Sequence, residues 1–154
     1  MMKLYIFKEV SARVPRQKIF NLFDKIMSKE TEADAGSRIN LVFTSKKRIQ
    51  QLNKSHRQID KATDVLTFNL GESSGDDSVF GEIYISTDVA RAQAPKFANT
   101  FGEELLRLCC HGFLHLLGYD HLKKSDAVKM QNREQYFLSF IKTKIKSKLS
   151  AGVC

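Results

Sequence analysis

Three of the chain's four histidines lie in one segment, His111-Gly112-Phe113-Leu114-His115-Leu116-Leu117-Gly118-Tyr119-Asp120-His121, at offsets 0, 4 and 10. Side chains four apart on a helix share a face, with Cβ atoms roughly 5–6 Å apart. His111 and His115 are therefore spaced to hold one ion. Gly118, at offset 7, suits the left-handed residue that ends a helix, and the turn after it returns His121 as a third ligand. This is the spacing of the zinc signature H-E-x-x-H-x-x-G-x-x-H with one departure: Gly112 stands where the glutamate belongs. In a zinc protease that glutamate is the general base, and glycine moves no proton. Three neutral imidazoles still make a zinc site of the catalytic kind, with three protein ligands and an open position. The spacing predicts one zinc per chain on His111, His115 and His121, and Gly112 argues against peptide hydrolysis.

These histidines need a scaffold. Thr100-Phe101-Gly102-Glu103 matches a capping box, and the helix it opens carries Leu105, Leu106, Leu108, Phe113, Leu114, Leu116 and Leu117. A helix apolar on most faces is buried, and its polar histidines then need partners, of which a metal is one. Cys109 and Cys110 fall on this helix. Cys110 points about 100° away from His111, so both cysteines read as core packing rather than as ligands.

Upstream, a strand is expected over Lys3–Val10 and a helix over Pro15–Lys29, where Ile19, Phe20, Leu22, Phe23, Ile26 and Met27 recur at helical spacing. Glu30 to Ser37 reads as a loop. A second strand is expected over Arg38–Thr44, followed by a helix capped by Ser45 and running to about Ser55. Strands are expected again over Asp64–Leu70 and Val79–Ser86, joined by the polar connector Gly71–Ser78. Thr87 or Asp88 can cap a short helix interrupted near Pro95. A last helix starts near Ser125 and continues towards Lys148. Strands alternating with helices early, and helices dominating late, imply an α+β fold: a mixed sheet of about four strands with packed helices, the zinc cleft lying beside a buried central helix.

At 154 residues the chain suits one domain, with a basic tail from about residue 139. No apolar stretch approaches the ~20 residues of a membrane span, and Lys8 and Glu9 break any signal-peptide core. The expected location is the cytoplasm. An odd number of cysteines, with Cys154 terminal, fits reduced thiols there. The net charge of +8 favours a polyanionic partner, nucleic acid before a membrane surface. Lys46-Lys47-Arg48 and the alternating Lys142, Lys144, Lys146 and Lys148 read first as solvated faces. Phosphate contacts by the tail are the alternative.

The histidine segment resembles the signature of the YbeY family of bacterial single-strand-specific endoribonucleases, which mature ribosomal RNA. Two further segments share the resemblance: Leu52-Asn53 with Arg57 and Thr63-Asp64-Val65-Leu66-Thr67-Phe68, and Gly81-Glu82-Ile83 with Ile85-Ser86. Together they extend the likeness over roughly residues 38–138. The family usually has proline at Ala62 and serine at Thr67, and aspartate is commoner at Glu82. None of these departures touches a histidine of the motif. The resemblance implies zinc on His111, His115 and His121, Arg57 as a functional residue of the cleft, a four-stranded sheet with the cleft opening along one edge, and single-stranded RNA, from ribosomal RNA or the small ribosomal subunit, as partner.

The expected function is a zinc-dependent endoribonuclease with Arg57, His111, His115 and His121 as its catalytic set. Guanidinium at Arg57 would clamp a phosphate, matching its oxygens with a planar fork. His56 reads as a surface histidine and Asp64 as a carboxylate bound to backbone amides. Asp120 is open between capping its turn and orienting an imidazole. Two other functions remain open: a metzincin-like zinc metalloprotease, which the spacing favours and Gly112 opposes, and a ribosome-binding assembly factor in which zinc is structural.

Overall fold

A computed structural model describes residues 2–31, 37–71 and 78–149, with side chains described as far as residue 141. The elements run β1 (Lys3–Lys8), α1 (Arg16–Glu30), β2 (Arg38–Thr44), α2 (Lys46–Arg57), β3 (Val65–Asn69), β4 (Val79–Ser86), α3 (Thr87–Gln93), a 3-10 turn (Ala94–Phe97), α4 (Phe101–Leu116) and α5 (Lys124–Leu149). Most of the connector after Gly71 and of the loop after Thr31, Cys154, and the side chains of Lys142, Lys144, Lys146 and Lys148 lie outside the described residues.

The four strands form one sheet in the order β1-β2-β4-β3. β1 and β4 flank β2 in parallel, and β3 pairs antiparallel with β4. The fold is the expected α+β with a mixed four-stranded sheet. Each parallel pair needs a crossover, and α1 and α2 supply helices for the two of them. One face of the sheet, with Leu4, Ile39, Leu41, Phe43, Ile83 and Ile85, packs against α1, α4 and α5 in the main core. α2 covers part of the other face, where Ile49 and Leu52 meet Leu66 in a smaller cluster.

Local chemistry explains most boundaries. Ser45 accepts from Arg48 N and caps α2, which runs to Arg57, two residues beyond expectation, and ends where Gln58 turns left-handed at φ 58°. β1 stops at Lys8 rather than Val10: Lys8 pairs with Phe43, Glu9 N still donates to Phe43 O, and only Thr44 of β2 lies beyond that pair. α3 is capped by Ser86, whose side chain accepts from Val89 N, and not by Thr87 or Asp88. Asp88 instead accepts from Lys46 N, the first amide of α2, where a carboxylate meets the positive end of that helix.

α4 is the buried central helix. Thr100 and Glu103 complete both halves of the capping box. Its C-terminus is a Schellman motif: Tyr119 N donates to Leu114 O, Gly118 N donates to His115 O, and Gly118 takes φ 105°. Two glycines let α4 and β4 approach closely. A Cβ on Gly112 would lie 2.9 Å from Ile83 Cγ2, and one on Gly81 would lie 2.8 Å from both δ carbons of Leu116. Among the described residues no helix is long and apolar enough to cross a membrane.

Candidate functional site

The end of α4 brings the three histidines together. Their ring centroids stand 6.1 Å (His111–His115), 5.7 Å (His111–His121) and 6.0 Å (His115–His121) apart. The first two project from successive turns of one helix face. The Schellman turn folds the chain back so that His121 completes the triangle. A hydrogen bond from Tyr119 Oη to Glu30, and Glu30's pairing with Arg133, tie that turn to α1 and α5. Asp120 accepts from Leu122 N, so of its two expected roles the structure places it in the turn.

The chemistry of these rings suits a metal. Neutral imidazole is the ligating form, and the pKa of His115 is held below its usual value by burial, helped by the positive fields of His111, His121 and Arg57; the Tyr119 backbone opposes the shift. His115 Nδ1 is buried with no partner in hydrogen-bond geometry. His111 Nδ1 lies 2.6 Å from Glu134 Oε1, which leaves its other nitrogen for a ligand. Among the described residues no group of His, Cys, Asp and Glu forms a ready-made metal cage. The ring centroids stand wider than three imidazoles sharing one zinc at about 2.0–2.1 Å would set them, while an all-imidazole donor set is of the kind that suits that ion.

A cleft of about 450 Å³ opens beside them, between α4 and the β3 edge of the sheet. Arg107, Leu108 and His111 line it from α4, and His121 from the turn. Asn53 and Arg57 line it from the end of α2, Ile59, Thr63 and Asp64 from the following loop, and Val65 and Leu66 from β3. Arg57 is exposed. Its Nη2 donates to Thr67 O at 2.9 Å, and its guanidinium carbon lies 5.9 Å from the Phe68 ring centre. Asn53, buried, donates to Lys61 O and holds the loop that follows. Asp64 accepts from Val65 N and Gln93 Nε2, the structural role expected of it. His56 is exposed and packs edge-on against Phe68.

Both cysteines of α4 are core residues. Cys109 and Cys110 have no exposed surface and are free thiols, and burial drives both pKa values well up.

Residue types alone did not single out three partners of the site. Glu134 sits on α5 and meets His111 across 23 residues of sequence. Glu104, with no exposed surface, takes both nitrogens of an Arg107 fork, at 2.8 and 2.7 Å, together with bonds from Gln93 and Asn99. The i, i+3 spacing of Glu104 and Arg107 was the one available signal for that pair. Nothing local marks Glu134.

A family model described as endoribonuclease YbeY matches residues 5–142. The chain belongs to the YbeY endoribonuclease family. A relative named endoribonuclease YbeY from Staphylococcus carnosus is 38% identical over 79% of this chain and 83% of its own length. Another with that name, from Thermosipho melanesiensis, is 45% identical over 68% and 74%. A solution structure from Thermotoga maritima superposes with a TM-score of 0.60 at 30% identity, covering 92% of this chain and 93% of that one. The YbeY family match spans every element that lines the cleft.

Proposed function

We propose that this YbeY-family chain is a zinc-dependent endoribonuclease of the cytoplasm that cuts single-stranded RNA, with ribosomal RNA as its substrate. The observation that carries the reading is the convergence of three histidine rings, two of which, His111 and His121, line a cleft whose other side presents Arg57. His111, His115 and His121 would hold the ion. Zinc held there supplies Lewis-acid polarisation of a phosphoryl oxygen and a lowered pKa for water.

The protein's own contribution is position and charge. Arg57 is tethered at one nitrogen to a neutral carbonyl, so its charge stays available to a phosphate. A preorganised donor aimed at charge that develops during reaction acts on the barrier more than on binding. The basic surface adds contacts that draw in any RNA strand without reading its sequence.

The metalloprotease alternative loses ground on Gly112. Glycine supplies no general base there, and even a Cβ at this position would lie 2.9 Å from the fully buried Ile83. The assembly-factor alternative keeps RNA binding and predicts no strand scission.

The test incubates metal-analysed protein with a single-stranded RNA and with casein, beside a His115→Ala control. Elemental analysis should find about one zinc per chain, lost in the His111→Ala/His115→Ala double variant. RNA cleavage should fall steeply with added salt. Casein hydrolysis without RNA cleavage would hand the site to the protease reading. RNA binding without cleavage would hand it to the assembly factor. Product ends identify the nucleophile, a cyclic phosphate pointing to the ribose 2′-hydroxyl.

A further inference from the structure

We infer that Glu134 sets the tautomer and orientation of His111 and is thereby a positioning residue for the metal end of α4. The inference rests on the three-histidine reading above and extends it to a residue outside the histidine motif.

α5 begins three residues after His121 and runs back across α4. This return places Glu134, itself largely buried with 14% of its side chain exposed, with Oε1 2.6 Å from His111 Nδ1. An ionised carboxylate only accepts hydrogen bonds, and a neutral imidazole has one donor and one acceptor nitrogen. The short contact therefore puts the proton on Nδ1 and leaves the Nε2 lone pair free. It also stops the ring from flipping about its Cβ–Cγ bond. A histidine that donates its second nitrogen to a carboxylate is the more basic ligand, and loss of such a partner typically weakens metal binding about 10–100-fold.

His111 and His115 differ in this respect. His115 interacts with the Tyr119 backbone, while His111 has a carboxylate partner. His111 is then the pre-set member of the trio, with its free nitrogen fixed before any ion arrives. The competing explanation is that the contact merely staples α5 to α4. A staple stabilises the fold and leaves the tautomer and the metal affinity alone.

The experiment uses the full chain as wild type, Glu134→Ala and Glu134→Gln. Zinc affinity is measured by competition with a chromophoric chelator. The tautomer of His111 is read in the metal-free protein by long-range 15N correlation NMR, at a pH where the rings are neutral, and folding is followed by thermal melting. The expected result is Nδ1–H at His111 in wild type, a mixture of tautomers in Glu134→Ala, and zinc affinity 10–100-fold lower in that variant. Glu134→Gln should fall between, since its amide oxygen still accepts the Nδ1 proton without the charge; it also decides the matter if Glu134→Ala does not fold. Unchanged tautomer and affinity with a lowered melting point would overturn the inference in favour of the staple. Wild type that binds no zinc would instead remove the three-histidine reading. The NMR arm then still decides the role of Glu134: Nε2–H at His111 overturns it, and Nδ1–H lost in Glu134→Ala sustains it.

Discussion

Arg107 and Arg57 both line the cleft, one from α4 and one from the end of α2, and they are held in different ways. Arg107 is gripped at two nitrogens by the fully buried Glu104, and its guanidinium lies 4.3 Å from the ring centre of Phe97. Those hydrogen bonds raise its pKa against the opposing effect of burial. Arg57 is exposed and has one hydrogen bond, to a backbone carbonyl. A cation matched by a buried anion adds little net field to a cleft, whereas one tied only to a dipole keeps its charge for a ligand. The difference separates an arginine that holds the wall together from one free to act on substrate.

The largest effect should come from breaking the matched pair. Arg107→Ala strands Glu104 without its countercharge, and removing one partner of a buried pair costs about 3–5 kcal/mol. For a chain of this size that is roughly 6–20 °C in melting temperature. The same pair predicts a pH dependence. Burial by itself would raise the Glu104 pKa, but the hydrogen bonds from Arg107, Asn99 and Gln93 outweigh it and hold the value below the ordinary 4.5. The unfolded chain then takes up this proton first, so the contribution is complete above pH 4.5 and is lost as pH falls through the folded value. Urea melts from pH 7 to pH 3 should show a steeper acid loss in wild type than in Arg107→Ala. Equal slopes would mean that the pair is not the scaffold element described.

Arg57 should give the opposite pattern. Arg57→Ala is expected to melt close to wild type and to retain its zinc, while single-turnover RNA cleavage falls about 10²–10³-fold, the ~2.7–4 kcal/mol of a lost transition-state donor. Arg57→Lys should recover part of this, since ammonium keeps the charge and loses the planar fork. Near-normal cleavage by folded, zinc-loaded Arg57→Ala would erase the contrast between the two arginines.

How legible each wall was follows the same division. The shared face of His111 and His115 on α4, the Gly118 turn, the Ser45 cap and the Thr100–Glu103 box could be read because each is local: a spacing of a few residues sets it. The position of Arg57 on the cleft came from the family resemblance, since an arginine at a helix end has no signature of its own. Glu134 and the burial of Glu104 could not be read, because both depend on which helices pack together. The strand order β1-β2-β4-β3 is equally non-local. The Ser86 cap was misplaced for a different reason. Ser86, Thr87 and Asp88 are all capping types in a row, and only the engagement of Asp88 with Lys46 N on α2 decides among them.

The smallest effect, and the one that bears on why this wall lacks a protease's base, lies at Gly112. Its ideal Cβ falls 2.9 Å from Ile83 Cγ2 and 3.1 Å from Cδ1. Cγ2 is attached directly to Cβ of a side chain with no exposed surface, so relief requires the helix or the strand to shift. Overpacking of this kind costs about 1–3 kcal/mol, against which alanine gains up to about 1 kcal/mol over glycine in helix propensity. Gly112→Ala should therefore lose roughly 1 kcal/mol net. The loss should shrink in an Ile83→Ala background, where the obstructing methyl is gone, and a double-mutant cycle should show a coupling of at least about 0.5 kcal/mol. Zinc content should stay near wild type, because position 112 faces Ile83 of the sheet and not the histidine rings. If Gly112→Ala proves as stable as wild type and uncoupled from Ile83, close packing does not explain the absent glutamate, and α4 has room for a base that this chain leaves out.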